Sequence, residues 1–277
     1  MGNVELLVIA GGGGGGYDST NQVGCGGGGS GGYRHFDNLT VHSQTYSVTI
    51  GSGGTTTFGA GNSGGDSVFD TITSAGGSGG GGKDEVAILA GGSGGGGTDV
   101  YPGGAGNTPE TDPSQGNNGG NGVHIQNAKF NQSFGGGGGG AGAVGTAPYY
   151  FVPNERVYGG NGGDGLQSSI SGTATYYAGG AGTPGNPSLT NGTNGLGAGN
   201  AGGGGWGDYF NPHNGKDGVV IIRYLTTDFN AIITGVGNTI TIDGDYSIAT
   251  FIVDGTFDVL SYAYIGGNSK IQGNTNL

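Results

Sequence analysis

Residues 4–16 read VELLVIAGGGGGG, an apolar run that passes directly into six consecutive glycines. Apart from Glu5, the run from Val4 to Ala10 is apolar on both alternating faces. This pattern predicts a β-strand that is buried on both sides. A later apolar burst, VVIIRYL from Val219 to Leu225, closes the glycine-rich part of the chain. We predict that it pairs beside the first strand.

The glycine runs between these two strands are predicted to be ordered. Glycine supplies 76 of the 277 residues, roughly four times its usual share, and only 32% of the chain is hydrophobic. Such a composition is typical of a flexible linker, but apolar strands frame the runs. The opening pattern VELLVIA also returns as DEVAILA at 84–90, which is an internal repeat. Glycine runs lie at 11–16, 26–29, 79–82, 94–97, 135–140 and 202–205.

Ordered polyglycine runs predict packed helices with three residues per turn. A collagen triple helix is excluded because strict G-X-Y periodicity is absent and only 8 prolines are present. Polyglycine II helices have no internal hydrogen bonds, so their outward N–H and C=O groups pair with neighbouring helices, and a Cβ would hold the backbones apart. The predicted fold class is mostly irregular and all-β: a bundle of packed polyglycine II helices framed by short β-strands, with a small C-terminal β unit and essentially no α-helix. A bulky residue within 11–16 or 135–140 is expected to disrupt it.

The composition changes after residue 226, where alternating β-formers replace glycine. NTITID at 238–243 and YSIATFIV at 246–253 predict strands, as does the alternation of Tyr46, Val48 and Ile50 with polar residues earlier in the chain. Asp254-Gly255 precedes TFDV and predicts a two-residue hairpin turn. We therefore divide the chain into a glycine-rich polyglycine II/β domain at 1–226 and a small hairpin-containing unit at 227–277. This unit is too small to be stable alone and should dock on a neighbour.

Charge and cysteine usage exclude several classes of partner. Seven basic and 19 acidic residues give a net charge of −12, so we expect no nucleic acid partner. No run of about 18 apolar residues occurs in the sequence, so no membrane insertion is expected. The single cysteine, Cys25, is either a small buried residue or forms a disulfide between subunits.

The sequence predicts no enzyme, no cofactor and no metal site. G-x-S-x-G matches surround Ser30, Ser63, Ser78 and Ser93, but such matches arise by chance in a chain this rich in glycine, and no helix is predicted to follow them. The histidines lack the spacing of zinc ligands. Carboxylates near the C-terminus could bind Ca²⁺, but aspartate is also common in β-turns, and we favour this structural role. These residues are His35, His42, His124 and His213, and Asp243, Asp245, Asp254 and Asp258.

Three motifs in order carry a resemblance to a known family: VELLVIAGGGGGG at 4–16, TYSVTIGSGG at 45–54 and GKDGVVIIRY at 215–224. Together they resemble the glycine-rich domain found in phage and prophage tail proteins, over about 1–226. Related phage adhesins pack polyglycine II helices into a sandwich and present loops to the host surface, so the resemblance implies that fold and function here. A similar domain occurs in the ectodomain of the anaplastic lymphoma kinase receptor family, which implies fold only.

The order of motifs departs from that family. A hairpin of the type YTIHTFTSSGTF usually precedes the opening strand, whereas its counterpart here, YSIATFIVDGTFDV, lies at 246–259. This segment either docks on a neighbouring copy, which would join subunits head to tail, or folds back in cis, or begins a second module. These alternatives stay open at the level of sequence.

Clustered aromatic residues are the candidate recognition surface. Rigid aromatics in loops supply contact area at low entropic cost and stack on sugars; the alternative is that they cap the glycine bundle against water. The residues are Tyr149, Tyr150, Phe151, Tyr176, Tyr177, Trp206, Tyr209 and Phe210. Three sequons, at Asn38, Asn131 and Asn191, would carry glycan only on a glycosylating secretory route.

The expected function is therefore that of a non-enzymatic structural or receptor-binding protein of a phage virion, a tail fibre or adhesin. Its rigid glycine scaffold would present loops to a host surface glycan or outer-membrane protein, and it would form a homo-oligomer or bind tail proteins. The alternative is a secreted extracellular fibre protein that forms a matrix and carries glycan on its sequons.

Overall fold

The computed structural model of the chain describes residues 1–18, 24–56, 58–82, 90–127, 131–151, 156–185, 193–207, 213–260, 263–265 and 269–271. Within these ranges the protein is all β, with several antiparallel sheets and no helix. Accordingly, no helix of the described residues is long and apolar enough to cross a membrane. The repeat DEVAILA lies outside these ranges except for its last residue, Ala90.

The strands vary from three to nine residues. In chain order they are β1 (Gly2–Ile9), β2 (Tyr33–Val41), β3 (Thr45–Thr49), β4 (Ser67–Phe69), β5 (Ile72–Ser74), β6 (Val123–Gln126), β7 (Asn131–Phe134), β8 (Tyr149–Phe151), β9 (Arg156–Tyr158), β10 (Leu166–Ser168), β11 (Thr175–Tyr177), β12 (Val219–Leu225), β13 (Asn230–Ile233), β14 (Thr239–Asp243), β15 (Tyr246–Phe251), β16 (Gly255–Leu260), β17 (Ala263–Ile265) and β18 (Ser269–Ile271).

Two sheets of five described strands form a sandwich. Sheet 1 has the order β14-β15-β12-β1-β2, and sheet 2 has the order β13-β16-β3-β4-β5. The opening strand β1 pairs antiparallel with β12, from Val4 opposite Tyr224 to Ile9 opposite Val219. The predicted pairing of the two framing strands is therefore confirmed. The smaller hairpins β6–β7, β8–β9, β10–β11 and β17–β18 lie outside this sandwich.

Strand β1 is buried on both faces, as its sequence predicts. Leu6 and Val8 join the core between the two sheets, which also holds Phe69 of β4 and Phe257 of β16. On the other face, Leu7 packs with Ile9, and this second cluster includes residues of the hairpin β10–β11 and the segment after it. In this second cluster, burial raises the pKa of the Tyr33 phenol, and a hydrogen bond with Ser168 opposes the rise.

The segment after residue 226 completes both sheets in cis. Strands β14 and β15 extend sheet 1, and β13 and β16 extend sheet 2. It also supplies Phe229, Phe251 and Phe257 to the shared core. Strands from both sides of residue 226 share the same two sheets. Whether 1–226 and 227–277 fold as separate domains stays a prediction.

The predicted hairpin at Asp254-Gly255 is wrong. Strand β15 pairs with β12 and β14, whereas β16 pairs with β13 and β3, so the chain crosses from sheet 1 to sheet 2 between them. Alternation in the two strands fixes which face is apolar but not which sheet each strand joins. Asn238 stabilises the segment where the chain crosses between the sheets. Its amide donates to the carbonyls of Thr234 and Val253 and accepts from the N–H groups of Ile252 and Val253.

Extended glycine-rich segments form most of the described residues outside the strands, and we call them the glycine lattice. They comprise 10–17, 24–32, 51–56, 58–65, 75–82, 91–98, 101–107, 115–122, 135–147, 159–165, 178–183, 193–207 and 213–218. Their backbone groups are bonded between segments rather than within a regular sheet. The lattice therefore satisfies its buried N–H and C=O groups as folded backbones must, but without strands.

Segment 10–17 shows the geometry of the lattice. Its successive N–H groups donate in strict rotation to the segments 24–32, 58–65 and 213–218, at N···O distances of 2.8–3.1 Å. The partner changes at each residue and returns at every third. Carbonyl oxygens of 10–17 accept from three further segments, 51–56, 75–82 and 193–207. Six backbones therefore surround this one and are bonded to it directly.

Glycine is required here because the neighbouring backbones leave no room for a side chain. A Cβ on any of residues 11–16 would lie 2.0–2.5 Å from a backbone carbonyl oxygen, and one on residues 135–140 would lie 1.9–2.2 Å away. Real Cβ atoms essentially never approach closer than 3.0 Å. The larger side chains of the lattice must therefore point outward or sit at its ends.

Asparagine and aspartate side chains bind the outer segments of the lattice. They occur in pairs three residues apart, and their side-chain oxygens accept from backbone N–H groups that are also three residues apart on the neighbouring segment. Each pair therefore replaces two backbone carbonyls. The pairs are Asn214 and Asp217 with Thr56 and Gly53, Asn118 and Asn121 with Gly106 and Gly103, and Asn161 and Asp164 with Thr193 and Leu196.

Candidate functional site

The hairpin β8–β9 presents three aromatic rings on one face. Tyr149 is 55% exposed and Phe151 is 45% exposed, and Tyr158 lies half-buried between them. The rings of Tyr149 and Tyr158 stack with centroids 4.9 Å apart and planes inclined by 7°, and Phe151 meets Tyr158 edge to face at 6.4 Å. We call Tyr149, Phe151 and Tyr158 the aromatic platform.

The opposite face of this hairpin is fixed to the protein. Strand alternation turns Tyr150 and Val157 away from the platform, and Val157 is fully buried. It packs with Ile125 and Phe134 of the hairpin β6–β7, with Tyr150 against the same cluster. Phe134 leads directly into the glycine segment 135–147. The platform therefore stands on a side-chain cluster that is attached to the lattice.

The other predicted aromatic residues have different positions. Tyr176 is 36% exposed, whereas Tyr177 is 8% exposed and belongs to the cluster on the outer face of sheet 1. The position of Tyr177 fits the packing alternative. Trp206 is half-buried at the end of a lattice segment, where its carbonyl accepts from the N–H of His213. Tyr209 and Phe210 lie outside the described residues.

Two of the three sequon asparagines are described, and both are exposed. Asn38 lies on β2, the edge strand of sheet 1. Asn131 begins β7, with its side-chain oxygen 3.3 Å from Nε2 of His124. Asn191 lies outside the described residues.

Asp99, His124 and Ser133 form a polar cluster whose geometry does not suit nucleophilic catalysis. Nδ1 of His124 lies 3.0 Å from both Asp99 Oδ1 and Ser133 Oγ, and the serine hydroxyl donates to Asp99. In a serine hydrolase the nucleophile and the carboxylate bind opposite ring nitrogens. Here both bind the same nitrogen, so the histidine is not placed to pass the serine proton onward.

Three of the four serines in the G-x-S-x-G matches have structural partners. Ser30, Ser78 and Ser93 are fully buried within the lattice. The Ser30 and Ser93 hydroxyls bond each other at 2.9 Å, and Ser78 Oγ accepts from the N–H of Gly95. Ser63 is exposed. Cys25 is buried, with 1% of its surface exposed, which matches the buried alternative for that residue.

Glu5, His35 and Asp37 form a cluster on sheet 1 that the sequence analysis did not single out. Their candidate ligand atoms lie within 4.8 Å of one another. The imidazole stands between the carboxylates, however, with Nε2 2.9 Å from Glu5 and Nδ1 3.9 Å from Asp37. Since the carboxylates face different ring nitrogens, the arrangement is that of a hydrogen-bonded side-chain pair rather than of a shared metal. Pairing of β2 with β1 would have predicted that His35 lies close to Glu5.

Two of the four C-terminal aspartates bind backbone or arginine. Asp243 lies 2.7 Å from the Arg223 guanidinium, and Asp254 accepts from the N–H of Ile50. Asp254 also lines an open groove of about 430 Å³ with Asp217, Ile252 and other residues. Asp217 accepts from the N–H of Gly53, so both carboxylates of this groove already have partners.

These features define an all-β protein in which a side-chain-packed sandwich is joined to a backbone-packed glycine lattice. The family model described as "Glycine-rich domain" matches residues 1–225, and the chain belongs to that family. A comparison with curated proteins finds no matching sequence.

Proposed function

We propose that the lattice segments are polyglycine II helices packed into a bundle, and that this bundle is a rigid scaffold for the surface hairpins. The supporting observation is the rotation of hydrogen-bond partners with a period of three residues along 10–17. That period is the three residues per turn of a polyglycine II helix. A helix surrounded by six bonded neighbours has little freedom to bend.

The function that this scaffold supports best is recognition without catalysis, as a virion tail-fibre or adhesin protein. The observation that carries this proposal is the aromatic platform, because rigid exposed rings supply binding area at low entropic cost. Host surface glycans and outer-membrane proteins are the proposed partners, since stacked rings fit sugar faces and apolar loops alike. The resemblance of the three framing motifs to phage tail domains favours this origin.

A triple substitution of the platform tests the proposal. Tyr149→Ala, Phe151→Ala and Tyr158→Ala together should reduce adsorption of the labelled chain to a panel of bacterial strains. We expect a loss of at least about thirtyfold, since an aromatic anchor contributes about 2 kcal/mol. Tyr176→Ala is the control, an exposed tyrosine on another hairpin. Unchanged adsorption by the triple variant, or a folded wild-type chain that adsorbs to no strain, would contradict the proposal.

A secreted matrix fibre is the second candidate, favoured by the exposure of Asn38 and Asn131 within sequons. In that case the chain isolated from its natural source carries glycan on these residues. Mass spectrometry of the native protein separates the two origins, because a virion protein assembled in a bacterial cytoplasm would carry none.

A further inference from the structure

Strand β14 is an edge strand without the usual protection. It ends sheet 1, and no strand of the described residues pairs with its outer side. All five of its residues are exposed. Edge strands are commonly blunted by charges or proline, and β2, at the opposite edge of the same sheet, carries Arg34, His35 and Asp37. β14 reads TITID, and its single charge is bound to Arg223.

The two faces of β14 differ in chemistry. Ile240 is 36% exposed and Ile242 is 66% exposed. Ile240 lies opposite Ala249, a residue of the core between the sheets, so Ile240 and Ile242 stand on the face of sheet 1 that carries this core. Thr239, Thr241 and Asp243 occupy the other face. An additional strand beside β14 would therefore cover apolar side chains on one side only.

The sequence of β14 is complementary to itself in the antiparallel direction. A two-fold axis at Thr241 places this residue opposite its own copy and places Ile240 opposite the copy's Ile242. Thr239 then faces Asp243, whose carboxylate can accept from the threonine hydroxyl. Opposed β-branched pairs and a threonine–carboxylate pair are favourable cross-strand neighbours.

We propose that β14 is a self-pairing edge through which two copies of this chain form an antiparallel dimer, joining two sheets of five strands into one continuous sheet. The inference goes beyond the proposed recognition function, names a route to the homo-oligomer expected from the sequence, and is independent of what the aromatic platform binds. Each copy carries a net charge of −12, so the dimer forms against mutual repulsion. Salt should therefore strengthen it, because added ions screen charges at the surface.

Register-specific cross-linking tests the dimer. In the proposed register the Thr241 residues of the two copies face each other, at a Cα separation of about 4.5–5.5 Å that permits a disulfide. We expect Thr241→Cys in the full chain to form a covalent dimer on mild oxidation. Thr239→Cys is the matched control on the same face of the same strand, and it should stay uncross-linked because its own copy is about 13 Å away. The native Cys25 is buried and does not compete.

Analytical ultracentrifugation of the wild-type chain, with and without about 1 M salt, completes the test. We expect a concentration-dependent dimer that salt tightens and that Thr241→Lys weakens at least about tenfold, because it opposes two like charges. Thr40→Lys, on the other edge of sheet 1, should leave it unchanged. A monomer at all concentrations, a dimer that Thr241→Lys leaves intact, or equal cross-linking at positions 239 and 241 would overturn the inference. A monomer that still adsorbs through the platform would leave the recognition proposal standing.

Discussion

The sandwich and the glycine lattice bury different parts of the same chain. In the sandwich, Phe69, Phe251 and Phe257 are 0–1% exposed, and side chains fill the space between the sheets. In the lattice, backbone carbonyls occupy the space where side chains would stand. Side chains can change rotamer to accommodate a change in volume, whereas a bonded backbone can move only by breaking its hydrogen bonds. The stability of the lattice therefore depends on the absence of side-chain atoms, whereas the stability of the sandwich depends on side chains that fill its core.

The largest effect is expected from a single methyl group in the lattice. In Gly138→Ala the new Cβ would lie 1.9 Å from the carbonyl oxygen of Gly28. The oxygen cannot retreat without disturbing the N–H of Ala181 that binds it. We expect a loss of more than about 3 kcal/mol, above the usual range for overpacking, measured by chemical unfolding or seen as loss of soluble protein.

Gly199→Ala is the control for this substitution. Gly199 is exposed, and nothing lies within 4 Å of the position of its Cβ. Its stability should stay within about 0.5 kcal/mol of the wild type, as is usual for surface changes. If Gly138→Ala and Gly199→Ala unfold at the same denaturant concentration, close backbone packing does not stabilise the lattice.

The sandwich should respond to the opposite change, the removal of atoms. Phe257 is fully buried and meets the rings of Phe69, Tyr224 and Phe229. Phe257→Ala should cost about 3–5 kcal/mol because it leaves a cavity. Phe257→Leu keeps most of the volume and should cost clearly less. Equal losses for the two variants in urea unfolding would show that this core does not depend on volume.

Sequence patterns predicted several strands of the sandwich. For the lattice they predicted that glycine segments pack together, but not which segments are neighbours. Strand β1, its pairing with β12 and the alternation in β3 follow from apolar periodicity. The partner of each glycine segment does not, because residues without side chains carry no pattern that distinguishes one neighbour from another. Asparagine and aspartate at spacings of three, such as Asn118 with Asn121, are the signal that could have located the lattice margins.

The candidate site was predicted in the same uneven way. Tyr149 and Phe151 were singled out as clustered aromatics, but Tyr158, which stacks on Tyr149 and meets Phe151 edge to face, was not. The alternation in Arg156–Tyr158 indicates a strand, and pairing that strand with β8 would have placed Tyr158 opposite Tyr149. Tyr177 was expected with them, yet its burial follows from packing across sheet 1, which local sequence does not encode.

A smaller effect is expected where the chain crosses between the sheets. Asn238→Ala removes an amide that makes four hydrogen bonds to the backbone of 234 and 252–253. The loss should be about 1–3 kcal/mol, because each of these four solvent-exposed hydrogen bonds contributes only about 0.5 kcal/mol net. Asn238→Asp keeps the acceptor and loses both donors, so it should fall between alanine and the wild type. An alanine variant as stable as the wild type in urea would indicate that water replaces the amide.

The smallest effect is expected at the lattice margin, where a side chain imitates a neighbouring backbone. Asn118 accepts from the N–H of Gly106 at 2.8 Å, and its side chain is exposed. Asn118→Ala should cost about 1 kcal/mol and speed hydrogen exchange of the Gly106 amide about fivefold, since water replaces the lost acceptor only in part. Asn118→Asp keeps the acceptor oxygen and should leave that exchange rate unchanged. Because Asp164 and Asp217 already fill equivalent positions beside Asn161 and Asn214, the lattice margin requires only a short side chain with an oxygen in this place. Faster exchange in the aspartate variant as well would show that the donor groups of asparagine matter more than the acceptor.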